Sequence, residues 1–183
     1  ECIARYGKTP TEILNENGVF NTRTLAAHGV YLTNRDMSIL ARRGVSVAHN
    51  PVSNLKLASG IANVTAMLKS GVNVSLGTDG CASNNSHDLF EELKLAALLA
   101  KGTSLDPTAV PTYSALKLAT VNVAYAHGRE NEIGRLIPGF DADMIMVNTH
   151  SPRLRPVYDP CGTVVYSACG SDVCLTIVQG KIL

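Results

Sequence analysis

The chain has little charge imbalance: 16 Lys and Arg oppose 15 Asp and Glu, leaving a net charge of +1. Without a basic footprint, nucleic acid is not an expected partner. Long apolar runs are also missing. The longest, Leu95-Ala96-Ala97-Leu98-Leu99-Ala100, falls far short of the ~20 residues a membrane-spanning helix requires. There is no low-complexity tract, no internal repeat beyond a strand-helix alternation, and no visible signal peptide. Glu1 rather than Met opens the sequence, so the true N-terminus is expected to lie elsewhere. No C-x-x-C pair occurs among the five cysteines, Cys2, Cys81, Cys161, Cys169 and Cys174. The expected role for this odd set is that of small buried hydrophobes in a reducing cytoplasm; a zinc site from Cys169 and Cys174 is the competing reading.

What is present reads as an ordinary soluble globular composition, 45% hydrophobic and 17% charged over 183 residues, enough for a sizeable core. Three short apolar runs end on polar side chains: Thr24 to His28, Gly44 to His49, and Val72 to Thr78 with Asp79 behind it. They read as buried parallel strands. His28 and His49 are 21 residues apart and His49 and Asp79 are 30 apart, each interval long enough for a helix. Right-handed crossovers would bring all three strand ends to one face.

The intervening helices carry punctuation. Thr33 and Asp36 resemble a cap and an acidic first turn, Ile39 and Leu40 an apolar stripe, and Gly44 a left-handed stop. Ile61, Val64, Met67 and Leu68 form the next stripe, with Gly71 as its stop. Ser86 is expected to open a third helix facing Leu89, Phe90, Leu93, Leu95, Ala97 and Leu98 inward in part. Pro107 at a first-turn position and the run Tyr113 to Ala126 predict one or two more.

After Pro138-Gly139 the pattern changes. Ala142 to Asn148, Thr163 to Tyr166 and Val173 to Val178 read as short strands, separated by turns such as Gly170-Ser171-Asp172 and Gln179-Gly180-Lys181. The expected division is a strand-helix portion over 1–135 and a small β-rich portion over 136–183.

Carboxylate and imidazole groups on one rim of parallel strands suit a metal-dependent hydrolase. Strand ends in a closed βα barrel converge on one pocket, where stiff strands hold a metal in fixed geometry. Zinc brings the pKa of its water to about 7, and a nearby carboxylate can accept a proton.

Three segments are specific. Ala26-Ala27-His28-Gly29-Val30-Tyr31-Leu32, Ala48-His49-Asn50-Pro51-Val52-Ser53-Asn54-Leu55-Lys56-Leu57-Ala58-Ser59-Gly60 and Leu76-Gly77-Thr78-Asp79-Gly80-Cys81-Ala82-Ser83-Asn84-Asn85 resemble the amidohydrolase superfamily. Its 5-methylthioadenosine/S-adenosylhomocysteine deaminase branch is the most similar. Glu132 to Asp143 resembles the opening of that superfamily's small β-sandwich. The resemblance implies an α/β fold: the C-terminal part of a distorted TIM (β/α)8 barrel, followed by strands of a small β-sandwich.

By that resemblance, Asp79 is implied as a metal ligand and proton carrier, and His28 as the group that polarises the attacking water. His49, Asn50, Ser53 and Asn54 are implied to line the substrate pocket. The implied cofactor is a divalent metal, zinc or alternatively iron. The implied reaction is hydrolytic deamination of an adenosine-type purine nucleoside. Another aminohydrolase or chlorohydrolase on the same scaffold, with a guanine, cytosine or triazine substrate, is the alternative, and a catalytically silent fragment is another. Residue by residue, a turn cap competes for Asp79, a buried hydrogen-bonded histidine for His28, and anchoring of the Asn50-Pro51 turn for His49. His87, His127 and His150 lie outside the motifs, and Glu91 and Glu92 read as a solvated helix face, with contact of one of them with the rim as the competing reading.

The family's His-x-His pair, its further metal histidine and its acidic glutamate have no counterpart in this sequence. A complete barrel alone takes about 250 residues. The chain therefore resembles a C-terminal fragment, whose unpaired strand edges would call for the missing half of the barrel or for self-association as a homo-oligomer.

Overall fold

In the computed structural model, which describes residues 1–183, three parallel strands form one sheet: β1 (Leu25–Ala27), β2 (Ser46–His49) and β3 (Asn73–Leu76). Leu25 pairs with Ser46, and His49 pairs with Leu76. Because both pairings are parallel, His28, His49 and Asp79 leave the sheet at the same end, as their spacing predicts. Val47 and Val74 are fully buried at the centres of β2 and β3, whereas β1, expected to be buried, is an edge strand exposed at Leu25 and Ala27.

Helices α1 (Cys2–Tyr6) and α2 (Pro10–Glu16) precede the sheet, and α3 (Asn34–Arg43) crosses from β1 to β2. Thr33 caps α3 as expected: its hydroxyl accepts from Asp36 N at 3.1 Å, and Asp36 Oδ2 accepts from Thr33 N at 2.9 Å. Gly44 ends the helix at φ 65°. A short helix that the sequence does not announce, α4 (Pro51–Lys56), follows β2 directly. Next comes α5 (Val64–Lys69), capped by Asn63. Ile61 falls outside it and is 40% exposed, because the Asn63 side chain starts the helix beyond that residue.

After β3 runs the longest helix, α6 (Leu89–Ser104). Asp88, not Ser86, caps it, accepting from Phe90 N at 2.9 Å. Leu93 and Ala97 face inward, whereas Leu89 and Leu98 are exposed. Glu92 is not solvated: it is wholly buried. Two further helices, α7 (Thr112–Ala119) and α8 (Val121–Ala126), return to the sheet. Pro107 starts no helix. Asp106 Oδ1 accepts from both Thr108 N and Thr108 Oγ1 and closes a turn there, so Pro111 takes the cap of α7 instead.

A second sheet is antiparallel in the order β4 (Met144–Val147), β5 (Val173–Val178) and β6 (Lys181–Ile182). The expected strand at Thr163 to Tyr166 is instead the end of a helix, α9 (Pro160–Tyr166). Asp159 accepts from Cys161 N and Gly162 N, and Pro160 stands at a first-turn position; together they outweigh the strand preference of four residues. Val165 of α9 is fully buried and joins the cluster that holds Leu93 and Leu118.

None of the five cysteines is buried, contrary to the expected role. Cys81 sits in the open loop after Asp79, and Cys174 points away from the core on β5. Cys169 and Cys174 make separate contacts, the first with Arg153 and the second with the Met146 carbonyl, so they do not form a pair. No helix is long and apolar enough to cross a membrane.

Candidate active site

At the C-terminal ends of the parallel strands the chain turns abruptly. His28, just past β1, has φ 69°, and Asp79, just past β3, has φ 61°. Non-glycine residues seldom hold this left-handed backbone, although Asp and His tolerate it better than most. The two turns aim the side chains at each other. His28 Nε2 lies 3.8 Å from Asp79 Oδ2, with both side chains about a third or more exposed at 41% and 34%.

Helix α4 supplies the supports. Ser53 Oγ donates to Asp79 Oδ2 at 2.6 Å, and Ser83 Oγ from the following loop donates to the same oxygen at 2.9 Å. These hydroxyls, with the Gly80 backbone, hold the Asp79 carboxyl below its ordinary range despite some desolvation. The site residue is therefore an anion at neutral pH.

Asn54 Oδ1 lies 2.8 Å from His28 Nδ1. An amide oxygen only accepts, so Nδ1 carries the proton and a neutral His28 presents its Nε2 lone pair toward Asp79. Asn50 Nδ2 stands 3.5 Å from the same Nδ1. Its side chain fills the space beside Gly77, where a Cβ would come within 2.5 Å of Asn50 Oδ1. A glycine at that position of the Leu-Gly-Thr-Asp run is what lets Asn50 pack under the pair.

His49 is 1% exposed and neither ring nitrogen has a hydrogen-bond partner. Burial lowers its pKa to about 4, so it is neutral across the physiological range. The structure thus gathers His28, Asn50, Ser53, Asn54 and Asp79 by direct contacts, with His49 buried beside His28. His87, His127 and His150 stand apart from this cluster; His150 contacts Arg155.

Two contributors carry no strong signal in the sequence. Ser83 lies inside the run that begins at Leu76, but nothing local says that its hydroxyl turns back to Asp79. Glu92 reads as one of a pair of surface acids in a first helical turn, and only the packing of α6 against α4 reveals it as buried.

The sequence model of the amidohydrolase family matches residues 1–183. The chain belongs to the amidohydrolase family. Over 179 residues it is 55% identical to the 5'-deoxyadenosine deaminase of Methanosarcina mazei, a match covering 98% of this chain and 41% of that protein. Over 179 residues it is 51% identical to the 5-methylthioadenosine/S-adenosylhomocysteine deaminase of Acetivibrio thermocellus, covering 98% and 42%. A crystal structure of an adenosine deaminase from Xanthomonas campestris with bound zinc superposes with a TM-score of 0.95 at 38% identity, covering 99% of this chain and 41% of that one. This amidohydrolase chain therefore spans about two fifths of the length of the relatives it matches.

Proposed function

We propose that this amidohydrolase chain is the C-terminal part of a metal-dependent deaminase acting on adenosine-type nucleosides such as 5-methylthioadenosine and S-adenosylhomocysteine. The observation that carries the reading is the Asp79–His28 pair, held by Ser53, Ser83 and Asn54 at adjacent parallel-strand ends. The names of the similar deaminases point to the substrate class. On this reading β1, β2 and β3 are the last strands of a distorted TIM barrel, residues 136–183 contribute strands to a small β-sandwich, and the division falls near 135. The remaining barrel strands come from the rest of the polypeptide or from a partner copy, and the enzyme works in the cytoplasm as a homo-oligomer.

The donor set fits a share in a divalent metal site. Asp79 offers an anionic, solvent-reachable oxygen donor, the kind zinc accepts. No group of three or more His, Cys, Asp or Glu gathers in this chain, so the other ligands come from outside it. When bound, zinc, or iron in its place, supplies Lewis acidity that makes a water reactive near neutral pH.

The chain's own residues handle protons and position. Asp79, poised as an anion, takes a proton from the attacking water, and His28 Nε2 accepts a hydrogen bond from it and relays a proton. The water oxygen bonds to the ring carbon that carries the amine, the carbon–nitrogen bond breaks, and ammonia departs with one of the water's protons. Asn54 keeps the His28 tautomer and ring orientation. His49, neutral and with two unpaired nitrogens, lines the nucleoside pocket with Asn50, Ser53 and Asn54 forming its floor.

The test is ammonia release by the full-length protein against 5-methylthioadenosine, S-adenosylhomocysteine, 5'-deoxyadenosine, guanine and a chlorotriazine. Preference for the adenosine derivatives supports the proposal. Preference for guanine, or chloride release from the triazine, overturns it.

A further inference from the structure

Helix α4 has no cap of its own. Asn50 occupies its N-cap position without a side-chain bond to the first turn, and Pro51 opens it. The Val52 N–H donates instead to Glu92 Oε2, 3.1 Å away in the first turn of α6. The second oxygen, Oε1, accepts from Asn84 Nδ2, which also donates to the Thr78 carbonyl at 2.9 Å. Thr78 immediately precedes Asp79. A single carboxylate therefore touches both segments that build the site: α4, which carries Ser53 and Asn54, and the 78–84 loop, which carries Asp79 and Ser83.

Glu92 is wholly buried and forms no ion pair. Burial dominates in raising its pKa to about 7, the Val52 and Asn84 hydrogen bonds oppose it, and the carboxylates of Glu91 and Asp79 add to the rise. A buried carboxylate with no cation is costly, and an apolar side chain of similar volume is the cheaper filling. What an apolar group cannot do is accept from two directions. Both partners are donors, and glutamine in the same place would accept once and turn a donor toward a donor.

We infer that Glu92 is a positioning residue, a buried double acceptor that sets the Asp79 loop against the helix holding Asp79 and His28. It touches no reacting atom. Its action runs through Val52 to Ser53 and Asn54, and through Asn84 and Thr78 to Asp79. The inference rests on the metal-dependent deaminase reading for its kinetic and zinc readouts, and not for the Ser53–Asp79 separation.

The test uses the full-length protein as wild type, Glu92→Gln and Asn84→Ala. Asn84→Ala leaves Glu92 its bond to Val52 and cuts the tie to Thr78. Three quantities are read: the Ser53–Asp79 separation in crystals, zinc retention against a chelator, and kcat and KM for 5-methylthioadenosine, each corrected for folded fraction by thermal melts. For Glu92→Gln the expected result is a Ser53–Asp79 separation beyond hydrogen-bond reach, zinc retention weaker by about tenfold, and kcat lower by about tenfold or more with KM within about twofold. Asn84→Ala is expected to move the same readouts the same way, and it decides the matter if Glu92→Gln does not fold. Variants that melt at lower temperature yet keep the separation, the zinc retention and kcat per folded molecule overturn the inference. A wild type without turnover on any nucleoside overturns the deaminase reading instead, while the separation still decides the role of Glu92.

Discussion

His28 and Asp79 face each other across 3.8 Å because both leave their strands through left-handed backbone, at φ 69° and 61°. Such conformations cost roughly 1 kcal/mol or more apiece and persist only where the surroundings impose them. Here the surroundings are Ser53, Asn54 and Ser83, which fix the side chains once the backbone has turned.

Asp79→Asn removes the charge while keeping a residue that tolerates left-handed backbone. Turnover by the zinc-loaded full-length protein is expected to fall by about a thousandfold or more, since proton transfer and metal ligation are lost together. Steady-state rates per folded molecule check this, and a variant with normal turnover refutes the role given to Asp79.

Asn54→Leu keeps the bulk beside His28 and removes the acceptor 2.8 Å from its Nδ1. The ring then loses its fixed tautomer. The expected effect is a fall in kcat of about ten- to a hundredfold that exceeds the rise in KM from its place on the pocket floor. An equal change in both constants would point to substrate contact rather than orientation.

Gly77→Ala places a Cβ 2.5 Å from Asn50 Oδ1 in a site where Asn50 is only 4% exposed. The displaced amide has nowhere to go. Urea denaturation of the full-length protein is expected to show a loss of about 1–3 kcal/mol, the usual range for overpacking. An unchanged midpoint would mean that Asn50 moves freely.

His49 and Glu92 pull stability in opposite directions with pH. His49 titrates near 4 in the fold against 6.5 unfolded, so between those values the unfolded chain binds more protons and stability falls as pH falls. Glu92 titrates near 7 against 4.5, so the folded chain holds the extra proton and stability falls as pH rises through that window. Where the windows overlap, from 4.5 to 6.5, the two slopes largely offset. His49→Gln removes one of them, and the urea midpoint of that variant is expected to climb as pH drops from 7 toward 4.5. A midpoint that stays level over the range contradicts the assignment.

Much of the architecture was legible in short-range chemistry. The apolar runs ending at His28, His49 and Asp79 announce three parallel strands, of which β2 and β3 are mostly buried while β1 is exposed at Leu25 and Ala27. Thr33, Asp36 and Gly44 marked both ends of α3, since caps and left-handed stops depend on a few neighbouring atoms. The same local logic failed at Thr163 to Tyr166. A run of three β-branched residues and a tyrosine is weak evidence, and the equally local Asp159–Pro160 start outweighs it.

What the sequence by itself determined is the direction of the strands and the identity of the side chains at their ends, together with a family likeness carried by contiguous motifs. Only the tertiary structure decided which atoms meet. It turned Ser53 and Ser83 onto one oxygen of Asp79, gave Asn54 to His28, and buried Glu92 between α4 and the Asp79 loop. The physical reason is distance along the chain. Glu92 reaches Val52 across 40 residues, and no local propensity records a contact that exists only after two helices have packed.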